Sequence, residues 1–241
     1  NRQSGWIMPS FGVSQSKGTY FQKLGYYWAP NDYSDLRLLT DFYDRDRIEL
    51  RGKLRYNKRY KFNGNLSMTF KRALNTELTN DISDLFTDKS TQNFDIKWIH
   101  KQTIDLSQNL NINWSYVTSS DFYNEFGYDL NTRMQQKLES SANYNKVWRK
   151  FGNRFSLSIS ESYDLNKERE IPSISENDDL IIQYYKYRTL PYMKFSHSNS
   201  KIFGNGDKWY NSIYYGFSSR FNGTQTIGHI STMPNPENFS W

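Results

Sequence analysis

The sequence predicts an all-β chain: an antiparallel transmembrane β-barrel segment, about eleven strands of a larger barrel. Three observations predict it. Apolar and polar residues alternate with period two through run after run, which is a strand signal. Several runs reach the roughly 9–11 residues that a tilted strand needs to cross a bilayer, where ordinary globular strands have about 5–6. Short turns are interspersed with long polar loops.

The strands are expected over 6–15, 19–28, 34–43, 46–57, 60–72, 92–103, 105–117, 134–146, 151–164, 187–197 and 208–221. In "RIELRGKLRY", Ile48, Leu50, Leu54 and Tyr56 share one face, and Arg47, Glu49, Arg51, Lys53 and Arg55 the other. In "KFNGNLSMTFK", Phe62, Leu66, Met68 and Phe70 oppose Asn63, Asn65, Ser67 and Thr69. Phe94, Ile96 and Trp98 alternate with Asn93, Asp95 and Lys97, while Leu110, Ile112, Trp114 and Tyr116 alternate with three asparagines and Ser115. Phe155, Leu157 and Ile159 stand among serines, and Trp209, Ile213, Tyr215, Phe217 and Phe221 fall on one face. Short connections lie near Asp44–Arg45, Asn57–Arg59, Gln102–Ile104 and Arg149–Gly152. Long ones span 73–91, 118–133 and 165–186, the first with a possible helical turn around Asp81–Phe86.

Composition agrees. Hydrophobic residues make up only 36% of the chain while aromatics reach 17%, a balance suited to showing rings to a non-aqueous phase. No run approaches the roughly 18 apolar residues of a membrane helix. The chain begins at Asn1 without a signal peptide and is expected to be part of a longer protein. There is no cysteine, which excludes disulfides and thiolate chemistry in these residues. The net charge of +6 is scattered rather than blocked, which argues against a nucleic-acid partner.

Catalytic and metal chemistry find no support. His100, His197 and His229 are dispersed, and there is no nucleophile elbow or P-loop. No metal, no cofactor and no catalytic residue are expected.

Aromatics cluster at strand ends: Tyr26, Tyr27 and Trp28 just before Pro30 and Asn31, and likewise Tyr20–Phe21, Phe42–Tyr43, Phe122–Tyr123 and Tyr184–Tyr185. Amphipathic rings at strand ends form the girdle at a membrane–water boundary. The face of Arg47, Arg51, Lys53 and Arg55 has two readings. It is a wet lumen or solvent face where charge costs little, or a basic lining that attracts an anionic glycolipid. The interposed Glu49 favours the first.

Residues 6–56 resemble the start of the barrel of the LptD (OstA) family of outer-membrane lipopolysaccharide-assembly proteins. The resemblance rests on Pro9, Gly12, Tyr26-Tyr27-Trp28, Ala29-Pro30-Asn31, Asp35, Tyr43, Arg45 and Arg55-Tyr56 in that order. "LPYMKFSHS" at 190–198 echoes a later strand of the family. The resemblance implies a very large barrel preceded by a periplasmic jelly roll. It implies insertion of lipopolysaccharide into the outer leaflet of the bacterial outer membrane, without catalysis, through a lateral gate near the first strand. Pro9 stands where the family has a gate proline, with Phe11 beside it; Gly25 stands where a second proline would be. Implied partners are lipopolysaccharide, an LptE-like plug lipoprotein, a periplasmic bridge reached through the upstream domain, and membrane lipid. A porin-like or other outer-membrane channel would share the alternation without requiring Pro9. A soluble β-rich carbohydrate-binding module would use exposed aromatics, and an outer-membrane hydrolase would need a Ser and a His from different strands.

Overall fold

A computed structural model of the chain describes residues 2–15, 18–44, 46–73, 92–120, 122, 137–169, 182–204 and 206–230. The helical turn expected around Asp81–Phe86 lies outside the described residues, as do the greater part of the three long loops and Arg45.

The described residues form one antiparallel sheet of twelve strands. They are β1 (Gly5–Ile7), β2 (Ser10–Ser14), β3 (Gly18–Asn31), β4 (Ser34–Tyr43), β5 (Arg47–Lys58), β6 (Phe62–Ala73), β7 (Gln92–Asp105), β8 (Gln108–Val117), β9 (Lys137–Trp148), β10 (Asn153–Asp164), β11 (Ile182–Lys201) and β12 (Tyr214–Ile230). A short helix α1 (Leu165–Arg169) follows β10. From β3 onward, each strand pairs with the next in sequence; β1 and β2 both pair with β3. The chain divides into two compact units, residues 1–100 with 114–135, and 101–113 with 136–241.

Several elements differ from expectation. The turn expected near Gln102–Ile104 lies inside β7, which runs to Asp105, and β11 begins at Ile182, within the connection expected over 165–186 and ahead of the strand expected over 187–197. The strand expected over 6–15 is interrupted at Met8–Pro9, because proline has no N–H to donate to a ladder. The last strand begins at Tyr214 and runs to Ile230 instead of spanning 208–221. Trp209–Ser212 is a 3₁₀ turn capped by Ile213, so neither Trp209 nor Ile213 joins Tyr215, Phe217 and Phe221 on the strand. The polar run 222–226 is strand because β11 offers it a partner, pairing Thr224 with Thr189 and Thr226 with Tyr187. A paired edge overrides weak local propensity.

Burial in the first unit is inverted relative to a water-soluble sheet. In the first unit, Asp35, Asp41, Arg47, Glu49 and Lys71 are buried. Leu24, Trp28, Leu38, Leu50 and Met68 on the opposite face are exposed. Registry explains the split: Asp41 pairs with Glu49 and Glu49 with Lys71, whereas Leu38 pairs with Gly52 and Gly52 with Met68. In the second unit, Leu110 and Ile112 pair with Tyr144 and Ala142, which pair with Leu157 and Ile159. The other face carries Asn109, Asn111 and Asn113 against Asn145, Asn143 and Ser141, and these against Ser156, Ser158 and Ser160. Asn145 donates to Asn109 at 3.1 Å and Ser158 to Asn143 at 2.7 Å.

Candidate functional site: the first-strand edge and its polar face

The edge begins with two short strands laid on β3 in one register. Gly5, Trp6 and Ile7 face Tyr27, Tyr26 and Gly25; Ser10 to Ser14 face Gln22 to Gly18. Continuing that register across the gap puts Pro9 opposite Lys23.

Lys23 is irregular too. Its φ is +63°, a left-handed conformation that side-chain-bearing residues rarely adopt. The β3–β4 register shifts between Phe21–Phe42 and Leu24–Thr40, so Gln22 and Lys23 together oppose Asp41. This is a β-bulge. The Asp41 side chain takes over what the ladder loses: its Oδ1 accepts the Lys23 N–H at 2.7 Å. Its Oδ2 accepts Arg51 Nη2 at 2.5 Å. The broken ladder of the first strand therefore faces a bulge in the second, and a buried carboxylate holds that bulge.

Gly25 lies inside both ladders, paired with Ile7 and Leu39. A Cβ there would strike the Leu38 carbonyl, so glycine permits close approach of β3 to β4.

Asp35 anchors the other end of the edge. Arg55 grips it with two bonds, Nε to Oδ1 at 2.8 Å and Nη2 to Oδ2 at 3.1 Å. Arg2 Nη1 reaches Oδ2 at 3.0 Å from the segment before β1. Ser4 Oγ accepts the Ala29 N–H at 2.9 Å. Side chains thus tie the stretch before Gly5 to β3 and β4.

The remaining charges interlock. Glu49, only 1% exposed, lies within 3.8 Å of Arg47 and Lys71 and 3.5 Å of Arg51. Of the basic face read from the sequence, Arg47, Arg51 and Arg55 are ion-paired, while Lys53 is exposed opposite Arg37.

The aromatic run 26–28 divides between faces. Tyr26 and Trp28 pair with Leu38 and Leu36 on the apolar face, and Tyr26 packs edge-on against Trp6 at 5.3 Å. Tyr27 points the other way, opposite Arg37. Pro30 and Asn31 end β3, where Asn31 Oδ1 accepts the Tyr33 N–H and the Ser34 hydroxyl to close the turn. At the other end of this face, Phe11, Phe21 and Phe42 stack in sequence at 6.4 and 5.5 Å. A third group joins Trp98 Nε1 to the Tyr56 hydroxyl at 2.9 Å, and that hydroxyl to His100 Nδ1 at 2.8 Å. Rings gather at both ends of an apolar face.

Sequence reasoning missed Arg2, Lys23, Arg37 and Asp41. Only the acid-and-base composition of the polar rows hinted at them. The pairings span 18 residues for Lys23–Asp41 and 33 for Arg2–Asp35.

A sheet of long antiparallel strands whose first unit is apolar on its exposed face and charged on its buried one is consistent with the class of transmembrane β-barrel proteins. A family model described as LptD protein matches residues 1–237. The chain belongs to the LptD family and so to the proteins of lipopolysaccharide transport, a non-enzymatic task. No curated protein matches it.

Proposed function

We propose that this chain is part of an outer-membrane barrel wall that inserts lipopolysaccharide into the outer leaflet through a lateral exit at the β1–β2 edge. The apolar face meets membrane lipid and the polar face lines the lumen. An LptE-like lipoprotein would plug that lumen, and a periplasmic bridge would deliver the glycolipid through an upstream domain. The observation that carries the reading is the interrupted ladder at Pro9 facing the bulge at Lys23. An edge lacking a proline donor at one strand and regular pairing at the next opens at lower cost than an unbroken ladder. Phe11, 76% exposed beside Pro9, is where an emerging acyl chain would first make contact.

The test places a photo-crosslinking residue at Phe11 in the full-length protein in its native cells. A lipopolysaccharide adduct that disappears when upstream transport is blocked is the expected result. A folded protein in the outer membrane with no adduct at Phe11 or its neighbours would sink the lateral exit and leave a porin-like channel.

A further inference from the structure

Among the described residues, the cations on the polar face of β4 and β5, with Arg2 and Lys71, fall into two sets. One set is neutralised. Arg2 and Arg55 hold Asp35, Arg51 holds Asp41, and Arg47, Arg51 and Lys71 surround Glu49. The other set is a single cross-strand pair. Arg37 of β4 and Lys53 of β5 stand directly opposite each other. Both are exposed, and neither forms an ion pair among the described residues. Their row continues to Tyr27 on one side and Ser67 on the other, so no carboxylate flanks them. The rows above and below contain Asp35–Arg55 and Leu39–Arg51, whose charges are already matched.

Like charges directly opposite on a ladder repel. Asp35 is the nearest carboxylate along β4, but its oxygens already accept three guanidinium bonds. Among the described residues, the sheet therefore presents two adjacent positive charges without a counter-ion.

We propose that Arg37 and Lys53 form an anion subsite that receives a phosphate group of the transported glycolipid on its way past the polar face. This rests on the lipopolysaccharide-transport reading. Two adjacent cations match a phosphate monoester, which carries close to two negative charges at neutral pH. The guanidinium grips oxygens as a fork, and the ammonium serves as a movable point charge. Exposure of both cations keeps the hold reversible, as a transport path requires.

The experiment uses the full-length protein with a photo-crosslinking residue at Ser67. Adducts are compared between the unaltered protein and an Arg37→Gln/Lys53→Gln variant, and between native and phosphatase-treated lipopolysaccharide. Unchanged heat-modifiable mobility on gels verifies that the variant folds. The expected result is an adduct reduced about tenfold by either change. An adduct unmoved by both, with the Phe11 adduct intact, would overturn the subsite and leave the transport reading standing. No adduct at either position overturns the transport reading itself. In a second arm, inorganic phosphate alone is tested for protection of Lys53 against an amine-reactive reagent, read at the Lys53 peptide. Protection equal to that by the glycolipid would reassign the site to the free anion.

Discussion

The two units solve one problem with different chemistry. Each carries an apolar face and a polar face, but burial differs: in the first the apolar face is the exposed one, whereas in the second Asn109, Asn111 and Asn113 are exposed and Leu110 and Ile112 are half-buried. In the first unit the polar face is ionic, with Asp35, Asp41 and Glu49 buried among arginines and Lys71. In the second, residues 109–113, 141–145 and 156–160 form a neutral ladder of asparagines against serines, with the exposed ion pair Lys137–Glu139 further along the same face. Buried ions are strongly position-specific, because removing one partner strands the other. Neutral hydroxyl and amide pairs are individually weak and tolerant of change. The ionic set lies beside the interrupted first strand, where a broken ladder needs side chains to define its geometry. The neutral set lies along β8–β10, where the ladders themselves define it.

The largest test of this contrast is Glu49→Leu. It leaves Arg47, Arg51 and Lys71 around an apolar side chain, at an expected cost of about 3–5 kcal/mol. The readout is the urea midpoint of the full-length protein in detergent micelles. A loss no greater than that for Ser158→Ala would erase the distinction between the units.

Asp41→Ala is next. It removes the acceptor of the Lys23 N–H and the partner of Arg51, an expected loss of about 1–3 kcal/mol. Asp41→Asn keeps an acceptor for Lys23 and should lose less. If both variants lose the same amount, the bulge is not held by that N–H bond.

Ser158→Ala in the second unit deletes the 2.7 Å bond to Asn143 and should cost about 1 kcal/mol. A loss comparable to that of Glu49→Leu would mean that the serine–asparagine face is as tightly specified as the ionic one.

The smallest effect concerns acid. Asp105, at the exposed turn after β7, accepts the Ser107 hydroxyl at 2.6 Å, the Ser107 N–H at 2.5 Å and Gln108 Nε2 at 2.7 Å. The Ser107 hydroxyl is the main cause that brings the carboxyl down to about 2 from its ordinary 3.8. A depressed folded value means the contribution is complete above about pH 4 and is lost as pH falls toward 2. Ser107→Ala should flatten the acid dependence of the urea midpoint in that window only. An unchanged acid profile would show that the turn contributes nothing through this carboxyl.

Much of the fold was legible because side-chain direction in a strand repeats every two residues, and that period survives without tertiary information. The run 47–56 announced both faces and β5. Pro9 was legible as a donor missing from a strand. The Lys23 bulge was not, since Lys is a poor marker of a left-handed residue and a bulge exists only relative to a partner's register. The last strand departs from its expected bounds for a similar reason: residues 222–226 are polar, and only pairing with β11 makes them strand.

The sequence by itself determined most of the strands and their alternation, which follow from local period and residue type. Tertiary structure alone decided which cations are neutralised. Arg47, Arg51, Lys53 and Arg55 are equivalent by spacing, yet three hold carboxylates and Lys53 faces Arg37. Coulomb interaction falls with distance through a medium whose screening depends on burial. Those distances are set by cross-strand register, which brings Asp35 from one strand and Arg2 from the approach to another onto the same guanidinium–carboxylate cluster.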